Sequence, residues 1–218
     1  MARRGKLNEK QAKDAIERPA RDRKYTYHIL IACEDVNTEP DYFGEYKKLF
    51  EEIWPKKTLF LAPIGTGRNS LGVVQQAIEE RSKLETNDQT TIDQTWAVFD
   101  KDDLDKSEGN INRFNEAFTL GKQKDVKIAY SNECFELWLL LHFEDINKET
   151  AIPRTEVYNR LENAIKKHEP EFLYEHGNSN VVNLTFKYGY KDAAIKRAEE
   201  LFNYHKQEKH QAIESNPN

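Results

Sequence analysis

The chain has few cysteines and no long apolar run, and each absence excludes a class of protein. Cys33 and Cys134 are its only two cysteines, and neither lies in a close Cys or His cluster, so we predict reduced, buried thiols and no zinc site. No apolar run reaches the ~18 residues of a membrane span. The first 24 residues also lack the apolar core of a signal peptide. We therefore expect a cytoplasmic protein with no membrane contact.

Two nucleotide-binding fingerprints are also missing. The string GTGRNS lacks the lysine and the spacing of a Walker A sequence, which excludes a P-loop NTPase. The first apolar run ends in CEDVNTE rather than in a Gly-rich turn, which argues against a dehydrogenase or kinase-like Rossmann domain. The net charge of -5 argues against a nonspecific nucleic-acid coat protein, but it is compatible with a local basic groove.

The chain does contain enough apolar sequence for one sizeable core under a highly charged surface. Of its 218 residues, 38% are hydrophobic and 33% are charged, and the mean hydropathy is -0.88. Residues 1–24 carry nine Lys or Arg against four acids, which is typical of a basic arm that is either a solvated tail or a binder of polyanions. We divide the rest into an α/β core at 25–150 and a C-terminal helical region at 151–218, packed on the core.

Apolar runs typical of buried strands alternate with segments of helical periodicity. Strands are predicted at TYHILIACE, TLFLAPI, TWAVFD and VKIAYS, and helices at 39–50, 71–84, around 114–120 and at the apolar CFELWLLLHF. This order predicts an α/β fold with a mainly parallel sheet and helices on both faces. Helices are also predicted at 154–168 and 191–207, with the turn-rich EPEFLYEHGNSNVVNLTFKYGY between them.

Acidic residues follow the first and third predicted strands directly. Glu34 ends the first apolar run, and Asp100 and Asp102 follow the third. The carboxyl ends of parallel strands share one edge of a sheet, and Asp100 and Asp102 project to the same side of an extended chain, about 7 Å apart. Such carboxylates repel one another without a cation between them, and oxygen ligands suit magnesium or manganese. We therefore predict a Mg²⁺ or Mn²⁺ site at these three residues; the alternative is a polar strand end with an acidic turn.

The loop GTGRNS at 65–70 lies between a predicted strand and a predicted helix. Gly65 and Gly67 would let backbone amides approach a phosphate, and Arg68 would supply positive charge, so we predict that these residues bind substrate. The alternative is a left-handed turn in which Ser70 caps the helix.

The string SNECFELWLLLH is the third candidate segment. We predict that Ser131 or Asn132 caps its helix and that Glu133 lies in the first turn, where it either completes the metal site together with Glu136 or compensates the helix dipole. Glu136 is favoured as a catalytic residue, because an unpaired carboxylate is costly at the start of an apolar helix. Asn132, beside the fourth strand end, is a candidate for substrate binding. His142 is predicted to be a core histidine bonded to the backbone.

These strings resemble known families. A Glu after the first strand, followed by Asp-x-Asp after the third, is similar to the TOPRIM domain of topoisomerases, primases and overcoming-lysogenization-type nucleases. The strings IACEDVNTEPDYF, FDKDD and SNECFELWLLLHF together resemble the RloB-like family, which is associated with restriction and abortive-infection defence loci in bacteria. The resemblance runs from about Tyr27 to Lys206. It implies a TOPRIM-like, Rossmann-like sheet with a smaller C-terminal helical region.

The resemblance also implies roles for individual residues. The acid-base or metal-binding Glu of TOPRIM domains falls on Glu34, and the metal-holding aspartates fall on Asp100 and Asp102. Asp35 stands where the pattern usually has Gly, and it adds a carboxylate beside the expected metal. Related TOPRIM nucleases use a late Lys to balance transition-state charge, and this role falls on Lys191. The alternative for Lys191 is an ordinary exposed Lys near a helix start.

The residues and the resemblance together predict a metal-dependent nuclease of bacterial anti-phage defence, acting on phosphodiesters of DNA or tRNA-like RNA. Its predicted catalytic residues are Glu34, Asp100, Asp102, Glu136 and Lys191. The expected partners are nucleic acid and a defence-system protein such as an ATPase, and the sequence leaves a homo-oligomer open. The alternative function is a non-enzymatic module that binds a nucleotide or a partner protein and regulates a defence system.

Overall fold

The structure of the chain, a computed structural model, describes residues 27–53, 59–87, 91–101 and 108–207. The predicted basic arm at 1–24 and the predicted metal ligand Asp102 therefore lie outside the described residues. Within the described ranges, no helix combines the length and the apolar character needed to cross a membrane.

Four parallel strands form one sheet. They are β1 (Tyr27–Cys33), β2 (Leu59–Gly65), β3 (Gln94–Asp100) and β4 (Lys127–Ser131), in the spatial order β2-β1-β3-β4. At one edge of this sheet, Cys33 pairs with Gly65 and with Val98, and Asp100 pairs with Ser131. The prediction of a parallel sheet is confirmed, and all four strands end at the same edge.

Helices connect the strands and cover the sheet. In the described part of the chain they are α1 (Thr38–Ile53), α2 (Ser70–Asn87), α3 (Glu108–Lys124), α4 (Glu136–Leu141), α5 (Arg154–Lys166), α6 (Asn180–Tyr188) and α7 (Lys191–Gln207). The first three alternate with the strands, as the periodicity predicted. The α/β class is therefore confirmed.

Both faces of the sheet are apolar because helices bury both of them. Successive residues of a strand point to opposite faces, so Ala32 joins one core cluster and Ile31 and Cys33 join the other. The first cluster contains Val73 and Val74 of α2 and Phe114 and Phe118 of α3. The second contains Tyr42 of α1, Leu139 and Leu140 of α4, Val157 and Leu161 of α5, and Val181 and Val182 of α6. The helices after β4 thus share a core with the sheet.

One segment differs from its prediction. The turn-rich stretch between α5 and α7 contains α6, a helix of nine residues. Val181, Val182, Leu184 and Thr185 are buried on this helix. β-branched residues and Asn lower the local preference for a helix, but burial of this apolar face in the second cluster outweighs that preference. The described residues also confirm that Cys33 and Cys134 are buried free thiols.

His142, just after α4, is a core histidine as predicted. It is 3% exposed, and its Nδ1 lies 3.0 Å from the carbonyl oxygen of Trp138. Burial lowers the pKa of His142 below its usual value, and the positive charge of Arg197 acts in the same direction. The unfolded chain therefore takes up this proton at a higher pH than the folded chain does. This residue consequently destabilises the fold as the pH falls through the unfolded pKa of about 6.5.

We expect a His142→Gln variant to have a lower melting temperature than the wild type at pH 8, because packing is lost. The difference between the two melting temperatures should narrow as the pH falls through about 6.5. Only the wild type must keep a buried imidazole neutral. The raised pKa of Glu39 favours the fold at low pH, but that contribution is common to both proteins. Melting temperatures of the two proteins from pH 8 to pH 5.5 measure the gap. An unchanged gap would contradict a buried imidazole that resists protonation.

Candidate active site

A cavity lies at the carboxyl ends of β1 and β3, where the order of the strands reverses. From β1 the chain passes to β2 on one side, whereas β3 lies on the other side, and ligands of open α/β sheets bind at such a point. The cavity has a volume of about 180 Å³. Its lining residues are Glu34, Asp35, Thr38, Glu39, Asp100, Phe135, Glu136, Arg154 and His176. Carboxylates therefore dominate its chemistry.

Glu34 and Asp100 meet at this edge of the sheet. The backbone N–H of Glu34 donates to the Val98 carbonyl at 2.9 Å, which continues the pairing of β1 and β3 by one residue. The Glu34 side chain accepts the backbone N–H of Asp100 on Oε2, also at 2.9 Å. This hydrogen bond fixes the Glu34 carboxylate at the end of β3. Two of the three predicted metal ligands are thus brought together, while the third, Asp102, lies outside the described residues.

Asp35, the departure from the TOPRIM pattern, caps the start of α1. Its carboxylate accepts the backbone N–H groups of Val36 at 2.6 Å and of Thr38 at 2.9 Å. In return, Glu39 accepts the Asp35 backbone N–H on Oε2 at 3.1 Å. This reciprocal arrangement resembles a capping box lengthened by one residue. The additional carboxylate therefore stabilises the loop that carries Glu34.

Glu39 is a site residue that the sequence reasoning missed. It is 1% exposed in the first turn of α1 and lines the cavity. Burial raises the pKa of Glu39 well above its usual value, and the negative charges of Asp100, Glu34 and Asp35 add to this effect. Burial and neighbouring carboxylates therefore both disfavour the charged form of Glu39. The spacing from Asp35 to Glu39 is one residue longer than in a capping box, so the sequence carried no standard signal for this pair.

The GTGRNS loop supports the Glu34 loop through its backbone. Thr66 N–H donates to the Cys33 carbonyl and Gly67 N–H to the Glu34 carbonyl, each at 2.9 Å. Gly67 has a φ of 60°, the left-handed turn of the alternative interpretation. The helix cap, however, is Asn69 rather than Ser70, because the Asn69 Oδ1 accepts the Gly72 N–H at 3.1 Å. Arg68 is exposed and, like both glycines, is not among the residues that line the cavity.

Glu136 lies in the cavity at the first residue of α4. It is 3% exposed, and its Oε1 accepts the Tyr174 hydroxyl at 2.6 Å. The Nδ1 atom of His176 lies 3.6 Å from the same oxygen. Burial, together with the Glu136 charge, raises the pKa of Tyr174 above its usual value, so the phenol remains a donor. Tyr174 and His176 were not predicted, because they lie in a loop whose position depends on tertiary packing.

The predicted start of α4 is wrong. Glu133 has a φ of 72°, in the left-handed region, and the helix begins three residues later. A helical turn therefore cannot include Glu133, and neither Ser131 nor Asn132 is its cap. Asn132 is exposed in the loop after β4. The Glu133 carbonyl instead accepts a hydrogen bond from Arg154 Nη2.

Arg154, rather than Lys191, places a positively charged side chain at the cavity. Its Nη2 lies 3.7 Å from the Asp100 Oδ2 atom, at the first residue of α5. Lys191 is exposed at the first residue of α7. The Tyr190 N–H, just before it, donates to the His142 carbonyl at 2.9 Å. His142 follows the C-terminal end of α4, whereas Glu136 lies at the N-terminal end of that helix. The one sequence signal for Arg154 was a cation at a predicted helix start, where it opposes the helix dipole.

The donor set of the cavity fits a hard divalent cation. Among the described residues, no group of three or more His, Cys, Asp or Glu side chains could hold a metal ion. Magnesium needs only one or two protein carboxylates, completed by water and phosphate, and Glu34 and Asp100 meet that need. The buried Glu39 adds a third carboxyl group beside them, and burial, with the charges of Asp100 and Glu34, raises the pKa of Glu39. The oxygen ligands thus suit magnesium or manganese.

Comparison with protein families gives a match over most of the chain. The family described as RloB-like protein matches residues 29–218. A search of curated proteins found no match. A search of solved structures found none either.

Proposed function

Since this chain belongs to the RloB-like protein family, as its sequence predicted, we propose that the cavity is the active site of a metal-dependent nuclease of bacterial anti-phage defence. Its substrate is a nucleic-acid phosphodiester, in DNA or in a structured RNA such as tRNA. One observation carries the proposal: Glu34 and Asp100, from the ends of two adjacent strands, are joined by a hydrogen bond of 2.9 Å in one acidic cavity. A defence-system partner such as an ATPase remains a prediction.

Each acidic residue has a distinct place in this proposal. Glu34 and Asp100, with Asp102, would hold a magnesium or manganese ion, which when bound activates water and neutralises charge on a phosphate. The Asp100 N–H keeps the Glu34 carboxylate in position, so little reorganisation is needed when substrate arrives. Glu136 is held by the Tyr174 hydroxyl, and the exposed His176 lies 3.6 Å from the same carboxylate. Burial of Glu136 strengthens its charge interactions within the cavity.

The proposal is tested by incubating the purified protein with plasmid, single-stranded DNA and total tRNA, with magnesium, manganese or a chelator. We expect cleavage that needs the metal and is lost in Glu34→Ala and in Asp102→Ala. Glu85→Ala is the matched control, because Glu85 is exposed on α2 and does not line the cavity. Cleavage that survives in the chelator or in Glu34→Ala would refute the proposal. Absence of cleavage in the wild type would favour the regulatory, binding-only module.

A further inference from the structure

The cavity holds a marked imbalance of charge. Five of its lining residues are carboxylic acids, namely Glu34, Asp35, Glu39, Asp100 and Glu136. Arg154 is the only Arg or Lys that lines it in the part of the chain that the structure describes. A phosphodiester carries a negative charge, so carboxylates alone would repel it. Apart from a bound metal ion, Arg154 is therefore the permanently charged cation that the described lining offers to an anionic substrate.

Arg154 is held in place by the protein on one side. Its Nη2 donates to the Glu133 carbonyl and lies 3.7 Å from the Asp100 Oδ2 atom. Its side chain is nevertheless 37% exposed. A guanidinium presents several N–H donors in one plane, which matches the oxygens of a phosphate. The side chain is thus anchored next to a predicted metal ligand while remaining accessible from solvent.

Two neighbouring features also favour an anion here. Arg154 is the first residue of α5, a helix of 13 residues whose N-cap, Pro153, makes no side-chain cap hydrogen bond. The first turn of α5 therefore lacks a side-chain cap, and Glu156 in that turn offsets part of the helix dipole. Independently, the Thr38 hydroxyl lines the same cavity, is buried, and has no hydrogen-bond partner among the described residues. A buried hydroxyl without a partner is costly unless a ligand or water satisfies it.

From this geometry we infer that Arg154 is the residue that binds the substrate phosphate, holding a non-bridging oxygen beside Asp100. This inference rests on the proposed function and deepens it, because it names the contact that draws a nucleic-acid phosphodiester into an acidic cavity. It also reassigns a role. The charge-balancing function that the resemblance implied for Lys191 falls on Arg154, which lines the cavity, whereas Lys191 does not.

The binding test needs no cleavage. Fluorescence anisotropy of a labelled single-stranded oligonucleotide, with calcium in place of the catalytic metal, gives the Kd of each variant. We expect Arg154→Gln to weaken binding about 10- to 100-fold, the range for losing a charged hydrogen bond, and Arg154→Lys to weaken it less. Gln keeps a polar side chain with N–H donors, so this variant chiefly removes the positive charge.

Arg160→Ala is the matched control. Arg160 lies on the same helix and does not line the cavity, and its Nε bonds to Glu144 at 2.6 Å. We expect its Kd to stay within about twofold of the wild type, as for surface charges away from a binding site. Equal affinities for Arg154→Gln and Arg160→Ala, or no binding by the wild type, would overturn the inference. A melting temperature for each variant confirms that it is folded.

A cleavage arm separates the inference from the proposed function. In Arg154→Ala, we expect cleavage to fall and to recover in part when guanidinium is added, compared with sodium at equal ionic strength. A purely structural role would give no such recovery. If the wild type binds, Arg154→Gln does not, and no metal supports cleavage, then the nuclease proposal fails while the phosphate site stands. If the wild type cleaves and Arg154→Gln binds and cleaves normally, the inference fails alone.

Discussion

Replacing Asp100 with Asn is expected to lower metal-dependent cleavage at least about a hundredfold, the effect of losing one electrostatic group from an active site. The backbone hydrogen bond to Glu34 does not involve the Asp100 side chain. The substitution therefore removes a carboxylate and leaves the support of Glu34 intact. Its second expected effect concerns stability. Without metal the variant should melt close to the wild type, because weakening of the Asp100–Arg154 ion pair opposes the relief of repulsion between Asp100 and the buried Glu39.

The two effects are measured by cleavage assays and by melting temperatures at increasing magnesium or manganese concentration. A metal bound only by the folded state raises the melting temperature with its concentration. We expect this rise in the wild type and not in Asp100→Asn. Asp192→Asn is the control, because Asp192 is exposed in the first turn of α7 and does not line the cavity. An equal rise in melting temperature with metal in Asp100→Asn and in Asp192→Asn would show that Asp100 is not a metal ligand.

The second large effect is expected at Gly65, the last residue of β2. A Cβ atom there would lie 2.4 Å from the Val36 Cα and 2.7 Å from the Asp35 carbonyl oxygen. These are backbone atoms, so relief of the clash requires the loop that carries Glu34 to move. We expect Gly65→Ala to lower the free energy of unfolding by about 1–3 kcal/mol, typical of overpacking. Cleavage should fall even at saturating substrate, because the displaced loop disrupts the site itself.

Gly44→Ala is the matched control for this substitution. Gly44 lies inside α1, and a Cβ atom there would meet nothing within 4 Å. Replacing a helical Gly by Ala should raise the free energy of unfolding by roughly 0.5–1 kcal/mol. Denaturant unfolding and steady-state cleavage provide the comparison. A Gly65→Ala protein with normal stability and a raised KM alone would instead favour the prediction from the sequence, in which Gly65 lets backbone amides approach a phosphate.

The sequence could predict the edge of the sheet where the acidic residues meet. β1 and β3 are short apolar runs that alternate with helical segments, which predicts parallel strands; Glu34 follows β1 directly and Asp100 is the last residue of β3. Their meeting follows from strand geometry, because parallel strands end together. Arg154 and His176 could not be placed in the same way. They come from the start of a helix and from a loop, and only the packing of the second core cluster brings them to the sheet.

Local preference misled the prediction where tertiary contacts override it. Glu133 was expected in a helical turn because a carboxylate stabilises the start of a helix, yet it adopts a φ of 72°. The left-handed backbone directs the Glu133 carbonyl to Arg154, a residue 21 positions later. α6 was missed for a related reason, since its Asn and β-branched residues favour other conformations until its apolar face is buried. Neither contact can be read from a short window of sequence.

The residues that line the cavity are synthesised at different times as the chain grows from its N-terminus. Glu34, Asp35 and Glu39 leave the ribosome first, and Asp100 follows. Arg154, Tyr174 and His176 are made last, after all four strands. Domains generally fold as the chain emerges from its N-terminus, so a nascent chain can pair its strands and gather its carboxylates before their positive neighbour exists. The complete cavity is thus a property of the finished chain, and an incomplete one carries an acidic edge that lacks Arg154.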